Sequence, residues 1–154
     1  MKCPEIFPTE SERLKALISY GLDKEKAIHS LDPVVRIAAR LFNMPAAINI
    51  IGDDHVFFAA NMGINDVDMR REISFCAHTI NQKDVLLVPD TQLDNRFYDN
   101  PLVTGDANLR FYAGVPIFST EGLALGALCI VDGAPHSDFS ESDQEHLREL
   151  AKMA

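Results

Sequence analysis

Two apolar runs, Arg110–Phe118 (RFYAGVPIF) and Ala124–Asp132 (ALGALCIVD), flank the tetrapeptide Ser119-Thr120-Glu121-Gly122. β-rich runs of this length joined by a turn that ends in glycine read as an antiparallel hairpin, with Gly122 taking the positive φ that the turn demands. The stretch just before, from Asn95 onward, is turn-rich and reads as a segment that crosses a sheet and feeds the hairpin.

The other elements follow from local signals. Thr9 and Glu12 have capping-box spacing and predict a short helix carrying Leu14, Leu17 and Ile18, closed near Gly21. Asp23 starts a second helix through Leu31. Pro33, in a first turn, leads PVVRIAARLF, with Val34, Ile37, Ala38 and Leu41 on one face and Asn43-Met44-Pro45 as its stop. AAINII is a buried strand, Gly52-Asp53-Asp54-His55 a turn, and VFFAANMGI the returning strand. Asn65 to Arg71 reads as a polar loop, ISFCAHTI as a helix, and VLLVPDT as a short strand stopped by Pro89 and Asp90. Gln92 to Asn108 is long and irregular, which in a compact domain points to a functional segment or lid. Ser140 and Asp143 cap a last helix, with Phe139 as a hydrophobic staple. Terminal helices around mostly antiparallel strands make an α+β layout.

The ordered pieces ARLF, SFCAH, PDTQLDNRFYDNPLVTG, RFYAGVPIF and ALGALCIVD resemble a GAF domain, of the kind attached to bacterial histidine kinases and diguanylate cyclases. The resemblance runs from about Glu12 to Leu150. It implies a profilin-like central antiparallel sheet of five to six strands, N- and C-terminal helices on one face, and pocket-forming helices and loops on the other. It implies a single domain over residues 1–154 that binds a small molecule and is not itself an enzyme.

Charge and cysteine usage narrow the partners. A net charge of −9 argues against nucleic acid and against an anionic membrane surface. Cys3, Cys76 and Cys129 are odd in number and far apart in sequence, which is no disulfide framework and suits reduced thiols in the cytoplasm. The N-terminal residues lack a signal-peptide core, and no apolar run has the length of a membrane helix.

The candidate ligand-binding residues are Phe58, Asn61, Phe75, His78, Asp90, Phe97, Tyr98, Asn100, Pro101, Tyr112 and Gly114. Phe97, Tyr98, Asn100 and Pro101 mix aromatic area with polar points, as pockets do, although Phe97 and Leu102 can equally plug the sheet face. Arg110 and Tyr112 share a strand face with Gly114, which leaves room for a side chain or a ligand. Cys76 lies on a stripe with Ile73, Ala77 and Ile80 and reads as a buried small hydrophobe. His78 flanks that stripe, as a satisfied histidine or a ligand donor; Cys76 and His78 point apart and cannot share a metal. His29, His55, His136 and His146 show no ligand spacing, so no metal is expected, and no catalytic residue is legible.

Relative to other GAF groups, Asn95 to Leu109 lacks the cysteine that bilin-binding members carry there, and Cys76 lacks an Asp-x-Cys-Phe setting. Asn95-Arg96-Phe97-Tyr98-Asp99 only begins the Asn-Lys-Phe-Asp-Glu signature of cyclic-nucleotide binders. The resemblance thus argues against bilin and cyclic nucleotide and leaves the ligand unnamed. The free methionine sulfoxide reductases of the superfamily use closely placed cysteines, a spacing these three do not reproduce.

The last helix repeats Leu147, Leu150 and Ala154 without a stop signal. With Leu14, Leu17 and Ile18 it suggests a homodimer through terminal helices, and a helix that continues into an effector domain such as a diguanylate cyclase or kinase. The reading from sequence is therefore a cytoplasmic sensory domain whose ligand orders Asn95 to Leu109 and biases those helices. The alternatives are a ligand-free dimerisation module and, behind it, a small redox enzyme using Cys76 or Cys129.

Overall fold

Gly122 has φ +83°, its N–H bonds back to the Ser119 carbonyl at 3.0 Å, and the hairpin closes where the sequence places it. The computed structural model describes residues 1–22, 27–64 and 69–154. The hairpin arms are β5 (Phe111–Phe118) and β6 (Ala124–Asp132), in register from Phe111 opposite Asp132 to Ile117 opposite Gly126. The remaining strands are β1 (Ala46–Ile51), β2 (His55–Met62), β3 (Met69–Arg70) and β4 (Leu86–Val88). They join one antiparallel sheet in the order β3-β2-β1-β6-β5-β4. This is the α+β, GAF-like sheet that the sequence leads one to expect.

Both faces are covered, so the central strands are apolar throughout rather than alternating with polar residues. Along β1, Ala46, Ile48 and Ile50 face one side, and Ala47, Asn49 and Ile51 face the other; all six are buried. The first side packs against α1 (Glu10–Ser19), α2 (Asp32–Phe42) and α5 (Glu141–Lys152) through Leu17, Val35, Ala38, Leu147 and Leu150. The second side carries α3 (Phe75–Thr79), α4 (Pro101–Thr104) and the chain around Phe97. Gly126 lets β6 pass close to β1; a Cβ there would sit 2.0 Å from the Asn49 carbonyl oxygen.

Several local expectations change. Thr9 has φ −80° and ψ 3°, outside the extended region a capping residue needs, and caps nothing; Glu10 instead turns its carboxylate to Arg13 and Arg71. On α2 the face against the sheet is Val34, Val35 and Ala38, while Ile37 and Leu41 are exposed. Adjacent valines offer two overlapping stripes, and the one carrying Val35 and Ala38 lets the helix approach closely. Leu147 and Leu150 lie in the domain's own core, so they are not a free seam on α5. Gln92 to Asn108 is not irregular throughout: Asn100 accepts from the Leu102 N–H and Pro101 opens α4. Arg110 precedes β5 rather than lying in it, and Arg71 begins a 3-10 turn over Arg71–Ile73. Of the expected Asp23–Leu31 helix, residues 23–26 lie outside the described set, and a 3-10 turn spans His29–Leu31. Residues 65–68 of the expected polar loop also lie outside it. At the other end the Ser140–Asp143 capping box forms on both sides, and Phe139 packs its ring 5.4 Å from Phe42 and from Phe111.

Candidate functional site

On the side of the sheet away from the terminal helices lies a cavity of about 380 Å³. Its floor is sheet: Asn49 of β1, Phe58 of β2, Tyr112 of β5, and Cys129 and Val131 of β6. Ser74, Phe75 and Cys76 close one side, and Leu102, Asp106, Ala107 and Leu109 form a wall from the segment before the hairpin. The wall is braced by the Leu109 N–H on the Leu102 carbonyl at 2.9 Å and by Arg110 Nη1 on the Val103 carbonyl at 2.8 Å. Ser74 caps α3 by accepting from the Ala77 N–H, which fixes where Phe75 and Cys76 point.

A chain of buried polar groups runs along the floor. Thr79 Oγ1 donates to the Phe75 carbonyl at 3.2 Å, which uses its one proton. It therefore accepts from the Tyr112 hydroxyl at 2.7 Å. The Tyr112 oxygen in turn accepts from the Cys76 thiol at 3.1 Å. With that proton committed, Cys76 Sγ accepts from Asn49 Nδ2 at 3.0 Å. Asn49 thus turns its amide nitrogen toward Cys76, and its Oδ1, a buried atom, has no hydrogen-bond partner among the described residues. Cys129 lies beside Cys76 on the same floor. Its hydrogen bond, with those of Tyr112 and Asn49, lowers the Cys76 thiol pKa against the opposing effect of burial. The same contact and burial push Cys129 well up, and burial with the two neighbouring thiols pushes the Tyr112 phenol well up.

The sequence candidates are scattered about this floor. Phe58, Phe75 and Tyr112 line the cavity. Phe97 sits behind it, fully buried, stacked on Phe75 at 4.0 Å, so Phe97 and Tyr112 lie on the same side of the sheet, both against Phe75. Gly114 lies under the Tyr112 ring; a Cβ there would be 2.2 Å from the hydroxyl, so its space is taken by a side chain. Asn100 is buried, capping α4 and donating from Nδ2 to the Ile73 carbonyl at 3.1 Å, and Pro101 is exposed in the first turn. Asn61 bonds both the N–H and the carbonyl of Ile64, and Asp90 accepts from the Gln92 N–H. Tyr98 is exposed. His78 Nε2 bonds the Lys2 carbonyl at 3.1 Å with its ring edge on Phe97, and burial lowers its pKa.

Asn49 and Asp132 were not among the candidates, and Cys129 was one only for the redox alternative. Asn49 is the polar interruption in the apolar run AAINII, a visible signal. The approach of Cys76 to Cys129 depends on α3 crossing β6 and leaves no trace in their spacing.

A second buried polar group ties the cavity side to the terminal helix. Glu10 of α1 pairs with both Arg13 and Arg71, whose side chains are almost wholly buried. Arg13 Nη1 also donates to the Ile51 carbonyl at 2.7 Å, and Arg71 Nη1 to the carbonyls of Gly52 and Asp53. Burial alone would raise the Glu10 carboxyl; the two arginines outweigh it and bring the pKa from 4.5 to about 2. Arg71 opens the turn that ends at Ser74 on the cavity wall.

A GAF-domain family model matches residues 27–154, and the chain belongs to that family. Over 154 residues it is 36% identical to a cyclic di-GMP phosphodiesterase of Pseudomonas aeruginosa, matching 99% of this chain and 26% of that protein. The chain thus spans about a quarter of the curated relative. Among solved structures it is similar to a free methionine-R-sulfoxide reductase of Neisseria meningitidis determined with its substrate (18% identity, TM-score 0.66, 99% of this chain and 93% of that one). It is also similar to the GAF domain of an Acinetobacter phosphoenolpyruvate-protein phosphotransferase (17% identity, TM-score 0.62, 96% and 91%). At such identities these two likenesses define the fold. The expectation that the chain is not an enzyme is corrected by these findings: the sequence relative bears the name of an enzyme, as do fold neighbours of nearly full coverage. The name of that relative is of a phosphodiesterase, whereas the resemblance read from sequence named cyclases and kinases as effectors. Among the described residues no helix is long and apolar enough to cross a membrane.

Proposed function

We propose that this domain binds a small molecule in the cavity and regulates a cyclic di-GMP phosphodiesterase of which it forms a part. The observation that carries this reading is the cavity itself, about 380 Å³ and lined by Phe58, Phe75, Leu102, Leu109, Tyr112 and Val131. That size falls within the ~300–1,000 Å³ of small-molecule pockets. The ligand would order the Leu102–Leu109 wall, and the Ser74–Arg71–Glu10 connection would carry the change to α1. Pairing of two copies through α1 and α5 remains part of the proposal; it would use exposed groups such as Ile18 and Met153. The test is a metabolite screen by thermal shift, followed by phosphodiesterase assays of the full-length protein with each hit. A ligand that binds the native state must raise Tm. Leu102→Trp, which fills the cavity, is expected to abolish both the shift and the ligand's effect on turnover. Hits that act equally on the filled variant would remove the cavity from the mechanism.

A second reading rests on Cys76 and Cys129, which line the same cavity and belong to one cluster of buried side chains. Two adjoining thiols can reduce a small sulfoxide: the substrate loses its oxygen as water, and the two thiols, giving up two protons and two electrons, become a disulfide. Sulfoxide turnover that persists after Cys76→Ala and Cys129→Ala would dispose of it.

A further inference from the structure

We infer that two copies of this chain pair by laying α2 of one against α5 of the other, so that Arg36 and Arg40 meet Glu145 and Glu149. The inference builds on the pairing proposed above and assigns α2, a helix outside that pairing, as the surface that receives α5.

Three observations converge. The first is a pair of idle guanidinium groups. The chain has eight arginines. Six have their guanidinium on a carboxylate or, for Arg110, on backbone carbonyls. The side chains of Arg36 and Arg40, both exposed on α2, have neither an ion pair nor a hydrogen bond among the described residues. One turn apart on a helix, two bare cations repel each other and attract any carboxylate that can reach them. Beside them Ile37 and Leu41 are 46% and 53% exposed, because α2 turns Val34, Val35 and Ala38 to the sheet. Arginine is enriched where proteins meet.

The second is the opposite charge on the neighbouring helix. α5 lies beside α2 on the same face of the sheet. It turns Leu147, Leu150 and Ala151 inward, which leaves Glu145 and Glu149 exposed on its far side. Glu145 has no ion pair among the described residues. Glu149 has an exposed one, with Lys152 at 3.1 Å, of a kind that contributes little. Within one chain no bond joins the two arginines to the two glutamates.

The third is register. The ring of Phe42, the last residue of α2, lies 5.4 Å from that of Phe139, just before α5. From that shared end, Arg40 and then Arg36 come along α2, and Glu145 and then Glu149 along α5. Each pair is spaced by four residues, about 6 Å along its helix. A two-fold axis running between the two helices and along them sets α2 of each copy on α5 of the other. Arg40 then faces Glu145, and Arg36 faces Glu149, twice over. Each guanidinium can hold a carboxylate with two N–H groups, and Ile37 and Leu41 leave water in the same contact. The occupant is a second copy because that copy carries, by symmetry, the face that each of these faces lacks.

Sedimentation equilibrium of the wild-type chain and of two double variants tests this. One variant carries Arg36→Glu and Arg40→Glu, the other Glu145→Arg and Glu149→Arg. All four positions are exposed, and circular dichroism checks that both variants fold. The wild type is expected to dimerise, and each variant at least tenfold more weakly, since like charges then face each other across both contacts. Mixed in equal amounts, the two variants should recover a dimer. In that heterodimer an acidic α2 meets a basic α5, and an acidic α5 meets a basic α2. A contact that does not join α2 to α5 gives no such recovery. A wild type that stays monomeric at about 0.5 mM overturns the inference and the pairing together. Variants that dimerise as the wild type does, or whose mixture fails to recover, overturn this surface alone and leave the pairing to α1.

Discussion

The two faces of the sheet are made from the same strands, residue by alternate residue, yet one is solid and the other hollow. On the helix face Ile48, Leu128 and Ile130 interlock with Leu17, Val35 and Leu147, all but excluded from solvent. On the opposite face a polar chain lies on the floor, small residues such as Ala47 and Ala127 stand between the aromatic ones, and a cavity remains. The terminal helices cover their side with long regular apolar stripes. The cavity side is roofed by a helix of five residues, another of four, and the loops between, which cannot tile a sheet as three long cylinders do. Close packing is concentrated on one face, and the empty volume lies on the other.

The largest effect is expected at the join between them. Glu10 on α1 holds Arg13 and Arg71, and Arg71 belongs to the cavity side. Glu10→Ala strands two buried guanidinium groups, and a loss of about 3–5 kcal/mol is expected in urea unfolding. Acid should act in the same direction. The Glu10 pKa is depressed in the folded state, to about 2 from 4.5. Its contribution is therefore complete above pH 4.5 and lost as pH falls toward 2, a window in which the wild type should lose stability faster than Glu10→Gln. Parallel pH profiles of the two proteins would show that the cluster contributes no net stability.

Leu128 and Leu102 sharpen the contrast between faces. Leu128→Ala, in the closed core, is expected to cost about 2–5 kcal/mol. Leu102→Ala removes a half-buried side chain that already borders empty volume, so a loss below about 1 kcal/mol is expected. The order should reverse for ligand affinity, where Leu102→Ala has the greater effect. Equal stability losses at the two positions would mean that the cavity closes in solution.

Much of this arrangement is legible in the sequence, and unevenly so. The hairpin, the buried AAINII strand and the Ser140 capping box are local patterns, and they appear as read. The orientation of α2 is not, because Val34-Val35 begins two stripes and only the facing sheet chooses between them. The site is least legible. Phe58, Phe75 and Tyr112 are aromatic and stand out, but the polar chain links Asn49, Cys76, Tyr112 and Thr79, which lie on three separate elements. Their adjacency is a product of the strand order, in which β1 sits beside β6 and α3 lies across both. Phe97 and Asn100 look like pocket residues by composition, yet they serve as a plug behind Phe75 and a helix cap.

The finest test of the division sets two caps against each other. Ser140 begins α5 on the solid face, with a full capping box; Asn100 begins α4 on the hollow face and also bonds the Ile73 carbonyl. Each replaced by alanine should cost about 0.5–2 kcal/mol, because each leaves a helix N–H without its acceptor. The two variants should differ in what else changes. Ser140→Ala lowers the unfolding midpoint and leaves ligand affinity alone, since α5 does not touch the cavity. Asn100→Ala frees the start of the wall that carries Leu102 to Leu109, and affinity should fall along with stability. If instead Ser140→Ala weakens binding as much as Asn100→Ala does, the faces are coupled through the sheet itself, and the division drawn here is one of packing and not of function.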